Sequence, residues 1–220
     1  MSGLRLTPGD FAVLRFVGRH RFATVAQVAR VTGRTEKKIY PRLLGLRSHG
    51  LVTFERPVVD RGVYLASRAG LRAAGLALPV ATVELGRFFH DRAVTELAAA
   101  LEANGAEVVS GREMRAHDDR TDTAVTARYA VPLPSGGWHY PDLLVAVASG
   151  RYHAVEVALV VSDPARRERI LTGYADAAHV DHVIYHVAAP SVAAVIRRSA
   201  AALTVTDRIE IRSLTEETAA

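Results

Sequence analysis

The chain has 220 residues, of which 49% are apolar and none is cysteine, and it carries a net charge of +5. That length suits one large domain or two small ones, and the apolar share is enough to give each a core. The lack of cysteine excludes disulfides and thiolate metal sites. No run approaches the roughly 18 uninterrupted apolar residues of a membrane span, and "MSGLRLTPGD" lacks the apolar stretch of a secretory signal. The expectation is a soluble, cytoplasmic protein with no membrane partner.

The net charge conceals an asymmetry. Residues 1–80 hold 14 Lys and Arg against 4 Asp and Glu, a net +10, whereas residues 81–220 hold 14 against 19, a net −5. A basic first third on a mildly acidic remainder points to a polyanion partner for the first part alone. The only two lysines are Lys37 and Lys38.

In chain order, "LTPGDFAVLRFVGRHR" has Thr7 as N-cap and Pro8 at the first helical position, followed by Phe11, Leu14 and Val17 at helical spacing. "ATVAQVARVTG" repeats the pattern, with Thr24 as cap and Gly33 as stop. "RTEKKIYPRLLGLRSHG" starts a third helix at Thr35, with Ile39, Leu43 and Leu46 inward and Gly50 ending it. Pro41 inside that helix removes one backbone hydrogen bond and is expected to bend it or delay its start. "LVTFERPVVDRGVYLAS" reads as strand, turn and strand, and Ser67 caps a closing helix in "SRAGLRAAGL".

Three helices followed by a two-stranded hairpin with a basic tip describe a winged helix-turn-helix over residues 1–78. In that arrangement the third helix enters the major groove of double-stranded DNA and the wing touches phosphate. Arg34, Lys37, Lys38, Arg42 and Arg47 fall on the outward positions of the third helix, and Arg56 and Arg61 on the wing. Such interactions make affinity strongly salt-dependent and leave the recognised sequence open, since each cation can face a base or a phosphate.

Residues 84–214 read as a second, α/β domain. "RFFHDRAVTELAAALEANG" is a helix with Phe88, Val94, Leu97, Ala98 and Leu101 along one side. "AEVVSGREMRA" reads as a strand, and "HDDRTDTAVTARYAVPLPSGGWH" as a loop with an edge strand. Leu143–Ala148 and Tyr152–Val161 are strands joined at Ser149–Gly150. A helix from Asp163–Pro164, the strand in "DHVIYHVAAP", the helix "SVAAVIRRSAAAL" and the edge strand "DRIEIRSL" complete a mixed sheet flanked by helices.

Asp142 and Glu156 flank the central hairpin. A two-residue turn pairs Ala148 with Arg151 and leaves Asp142 opposite Val157; a three-residue loop ending in Gly150 puts Asp142 opposite Glu156. Two carboxylates on neighbouring strands suit a magnesium ion that activates water beside a phosphodiester. Here the chain resembles the PD-(D/E)xK restriction-endonuclease-like fold: Pro141–Asp142 matches its first acidic element and Glu156-Val157-Ala158 its second. The resemblance implies Asp142 and Glu156 as catalytic and metal-binding residues, with Glu96 on the preceding helix as an additional acid. It also implies a lysine at position 158, where this chain has alanine. Arg151 and Arg166 are the cations that could reach in instead, and arginine is almost never neutral and has a different shape.

Taken together, "VYLASRAGLRAAGL", "FHDRAVTEL", "YPDLLV", "AVEVAL" and "RRERILTGYADA" resemble the replication-relaxation family of bacterial plasmids, integrative elements and phages, over roughly residues 7–200. That resemblance implies a DNA-binding protein acting in plasmid or mobile-element replication, relaxation or mobilisation. The nuclease-like domain is then degenerate, needs no cofactor, and serves homodimerisation or protein partners. The alternatives are a magnesium-dependent nuclease or nickase, and a winged-helix transcriptional regulator. His179, His182 and His186 are read as ordinary histidines without carboxylate support rather than a zinc site.

Overall fold

Thr7 opens the first helix, α1 (Pro8–Arg19), through a reciprocal cap. Its hydroxyl accepts from the Asp10 N–H at 3.3 Å, and the Asp10 carboxylate accepts from the Thr7 N–H at 2.8 Å. Two donors that a first turn cannot pair internally are thus satisfied. The computed structural model describes residues 5–59, 61–120, 128–134, 136–148 and 150–214. They form a mixed α/β protein of two compact units, Met1–Gly105 and Ala106–Ala220.

In the first unit α2 (Val25–Val31) is capped by Thr24 and Gln27 in the same reciprocal way. Helix α3 (Glu36–Ser48) follows Thr35, whose side chain makes no capping bond. It starts at Glu36 and runs through Pro41, so the expected delay of its start does not occur; Gly50 then takes a positive φ of 68° and ends it. Strands β1 (Val52–Val58) and β2 (Arg61–Ala66) pair antiparallel, with an irregularity between Glu55 and Val58. Ala23 adds a bridge to Tyr64, with N···O distances of 2.9 and 2.8 Å. Ser67 caps α4 (Arg68–Ala73).

Helix α5 (Phe88–Ala103) was expected to open the second domain at residue 84, but it belongs to the first unit. The Phe88 ring stacks on Phe22 at 5.2 Å, the Gln27 side-chain amide donates to the Arg92 carbonyl at 3.1 Å, and the Thr95 hydroxyl donates to the Phe22 carbonyl at 3.3 Å. Its buried residues are Phe88, Asp91, Ala93, Thr95, Ala98 and Ala99, so Val94, Leu97 and Leu101 are only half-buried.

The second unit holds β3 (Val108–Ser110), α6 (Gly111–Asp118), β4 (Val131–Pro132), β5 (Trp138–His139), β6 (Leu143–Ala148), β7 (Arg151–Ala158), α7 (Pro164–Asp176), β8 (Val180–Val187), α8 (Pro190–Ala202) and β9 (Ile209–Ser213). Five strands make one sheet in the order β3-β6-β7-β8-β9. The first three run antiparallel, while β8 and β9 are parallel to their neighbours and are reached through α7 and α8, as parallel pairing requires. Leu144, Ala154, Val183 and Tyr185 of the sheet share a core with Leu171 and Tyr174 of α7, Val192 and Ile196 of α8, and Met114 of α6. Each such fully buried aliphatic side chain contributes about 1.5–3 kcal/mol.

The strand expected in "AEVVSGREMRA" ends after three residues. Ser110 accepts from the Glu113 N–H at 3.3 Å while Glu113 accepts from the Ser110 N–H at 2.9 Å, and this capping box starts α6 instead. Much of the polar loop expected to follow, residues 121–127, lies outside the described residues. Asp118 accepts from the N–H groups of Arg128, Tyr129 and Ala130 on its far side. Among the described residues no helix is long and apolar enough to cross a membrane.

Candidate nucleic-acid interface and carboxylate site

Helix α3 buries Ile39, Leu43 and Leu46, each no more than 2% exposed. At about 3.6 residues per turn, that face turns Lys37, Pro41, Leu44 and Ser48 outward. Lys37, Lys38 and Arg47 of α3 are exposed, as expected, and so is Arg56 on β1; Arg34, expected on the same helix, is exposed but precedes its first residue. The side chain of Arg61, expected on the wing, lies outside the described residues.

Arg42 does not stand free among them. Its Nε lies 2.6 Å from Asp10 Oδ1, and its Nη2 lies 3.0 Å from Asp10 Oδ2 and 2.6 Å from the Thr7 hydroxyl. The guanidinium therefore ties α3 to the cap of α1. Burial pushes the Asp10 carboxyl up, but the Thr7 and Arg42 hydrogen bonds outweigh it and hold the pKa below the ordinary value. The expectation that Arg42 points outward is corrected: its guanidinium is held at the start of α1.

Arg47 and Arg56 share a different neighbour. Their Cζ atoms lie 5.3 and 5.6 Å from the centroid of the Phe54 ring. That ring packs on Tyr64 at 5.0 Å and over Gly62, where an added Cβ would come within 2.4 Å of it.

In the second unit, Leu143 pairs with Val155, which puts Asp142 opposite Glu156 one step further along. The route there combines both expected hairpins. Ala148 pairs with Arg151 as a two-residue turn demands, yet Ala146 pairs with Tyr152, so Val147 is an extra residue that shifts the register. Side chains alternate across a strand, so Asp142 and Glu156 share the face of Leu144 and Ala154, which α7 covers.

Both carboxylates are engaged by protein donors. Asp142 Oδ2 accepts from the Val157 N–H at 2.8 Å. Glu156 is 9% exposed; its Oε1 lies 2.6 Å from His139 Nε2 and also accepts from the Tyr174 hydroxyl. Burial disfavours the His139 cation, but Glu156 and then Asp142 outweigh it and raise its pKa, against an opposing effect of Arg166. An imidazolium donating to Glu156 is the state this favours. Burial, reinforced by the charge of Glu156, pushes the Tyr174 and Tyr185 hydroxyls well above the ordinary value. His139 and Tyr174 were not foreseen as site residues, although "WHYPD" sets His139 close before Asp142.

The lysine position holds Ala158 at the end of β7. Arg151 pairs with Asp181, and Arg166 sits exposed at the start of α7. Glu96 lies on α5 in the first unit, 2.6 Å from Arg30. Magnesium does not fit the residues as they stand, because Glu156 Oε1 and Asp142 Oδ2 already accept from His139, Tyr174 and Val157. Among the described residues no group of three or more His, Asp and Glu side chains is arranged to hold a metal ion. His182 lies instead beside His153, ring centroids 5.8 Å apart, and His179 Nε2 lies 3.3 Å from the Tyr129 carbonyl.

No family model matches the chain, and no curated protein matches it. Among solved structures it aligns with one described as "PigF with SAH", at 14% identity and a TM-score of 0.23, over 94% of this chain and 57% of that one. The chain thus spans little more than half of that structure's length, and similarity of this size sets neither fold nor function.

Proposed function

We propose that the chain binds double-stranded DNA through its first unit, acting as a winged helix-turn-helix with α3 in the major groove and the β1–β2 hairpin as the wing. The observation that carries this is the distribution of charge on α3. Its buried face is apolar, while Lys37, Lys38 and Arg47 are exposed, and among the described residues none of the three is paired with a carboxylate. In this reading the protein belongs to the replication-relaxation type and serves replication, relaxation or mobilisation of a plasmid or other mobile element in the cytoplasm. Its second unit is a restriction-endonuclease-like domain that mediates homodimerisation or binds protein partners. Three antiparallel strands followed by a helix and a parallel strand support that assignment.

The test is an electrophoretic mobility shift with duplex DNA across a salt series. Binding should weaken steeply with salt, and a Lys37→Ala/Lys38→Ala/Arg47→Ala variant should show a log–log slope shallower by about 0.9 for each phosphate it no longer neutralises. A variant that binds as well as the wild type rejects the assignment of α3.

A second reading, a magnesium-dependent nuclease, has the position of Asp142 opposite Glu156 in its favour and requires both carboxylates to exchange their protein donors for the metal. Supercoiled plasmid nicked in Mg²⁺ or Mn²⁺ by the wild type, but not by Asp142→Ala or Glu156→Ala, supports it. Plasmid left intact with every divalent metal rejects it.

A further inference from the structure

We propose that Phe54 is a positioning residue that couples Arg47 of α3 and Arg56 of the hairpin into one clamp for adjacent phosphates of a DNA strand. The proposal rests on the DNA-binding reading and deepens it. Two arginines on separate elements have no backbone reason to act together, since each long side chain samples many rotamers when alone. Here both guanidinium groups lie within cation–π range of one ring, 5.3 and 5.6 Å from its centroid. Neither makes an ion pair with a carboxylate among the described residues, although Glu55 lies between Phe54 and Arg56 in the strand.

The ring is itself held in place. Phe54 pairs across the hairpin with Tyr64, their rings 5.0 Å apart, and Tyr64 is only 2% exposed. Beneath the ring lies Gly62, where any Cβ would come within 2.4 Å of Phe54 Cζ. Gly62 on one side, where a Cβ would displace the ring, and a buried tyrosine on the other limit the ring to few orientations. Two guanidinium groups held beside one ring keep their N–H donors available, because the attraction uses the π face and consumes no hydrogen bond. That is the requirement for a phosphate clamp, since guanidinium donors match the geometry of phosphate oxygens in pairs. The entropy of ordering two arginines is then largely spent before DNA arrives.

The experiment measures duplex DNA affinity against salt for the full chain and for Phe54→Leu, Phe54→Tyr, Arg47→Ala, Arg56→Ala and the arginine double variant. Phe54→Leu should weaken binding about five-fold, the lower end of what ordering two arginine side chains during binding costs. It should also flatten the log–log salt slope by roughly 0.9 for each phosphate released from the clamp, with the total charge unchanged. Phe54→Tyr keeps the ring and should bind as the wild type does. Arg47→Ala and Arg56→Ala should be non-additive in the wild-type background, a readout that holds even if Phe54→Leu fails to fold. Additive arginine effects, or a folded Phe54→Leu with wild-type affinity and slope, overturn the proposal alone. A wild-type chain that does not bind duplex DNA at low salt overturns the DNA-binding reading, and the clamp falls with it.

Discussion

The imidazole of His139 and the carboxylate of Glu156 lie 2.6 Å apart, and the same carboxylate oxygen accepts from the Tyr174 hydroxyl. A carboxylate held by two donors beneath a helix acts first as a structural anchor. Removing it leaves a buried imidazole and a buried hydroxyl without their acceptor. Glu156→Ala should therefore lower the unfolding free energy by about 2 kcal/mol or more, the cost of two buried polar groups left unsatisfied, read from urea denaturation. A decrease below about 1 kcal/mol would show that the cluster is solvated and structurally idle.

The same pair has a pH signature. The folded-state pKa of His139 is raised above its ordinary 6.5. Its contribution is therefore fully present below the unfolded value and is lost as pH rises through the folded one. His153, His179 and His186 are shifted the opposite way, each first by burial, so the wild-type profile mixes both signs. The informative quantity is the difference between the wild type and His139→Gln. The stability gap should be largest in mildly acidic solution and narrow above neutrality; a gap that widens with pH contradicts the assignment.

Arg42→Ala removes both the grip on Asp10 and the bond to Thr7. The cap it supports is worth about 1 kcal/mol, so thermal unfolding of Arg42→Ala and Asp10→Ala should show similar destabilisation. The double variant should be destabilised by less than their sum, because the two sites share one network. Additive effects would separate Arg42 from the cap and return it to the set of exposed cations.

Gly70 lies in α4 where an added Cβ would fall 2.0 Å from the Leu51 carbonyl oxygen. Backbone cannot rotate aside as a side chain does, so Gly70→Ala should cost about 1–3 kcal/mol despite the higher helix propensity of alanine. At Gly45, within α3, nothing lies within 4 Å of an added Cβ. Gly45→Ala should leave the melting temperature unchanged or raise it, and the contrast between the two variants is the measurement.

What could be foreseen from sequence was whatever neighbouring residues decide. Thr7, Thr24 and Ser67 announce their helices because a cap acts within three positions, and Gly50 ends α3 for an equally local reason. The first turn of α6 was open to the same logic, since Ser110 and Glu113 form a capping box, but the apolar pair before it suggested a continuing strand. Long-range choices were hidden. Arg42 finds Asp10 at 32 positions' remove, and His139 reaches Glu156 across 17. Neither spacing carries a periodic signal. Glu96 likewise pairs with Arg30 within the first unit, a partner that no local spacing announces.

Val147 has an effect out of proportion to its size. Strand partners are counted in twos, so a single supernumerary residue between Ala146 and Ala148 changes the parity of everything upstream on that arm. With it, the acid ahead of β6 looks across at another acid; without it, the view is of Val157. One residue in the hairpin stem thus chooses whether the two carboxylates ever become neighbours.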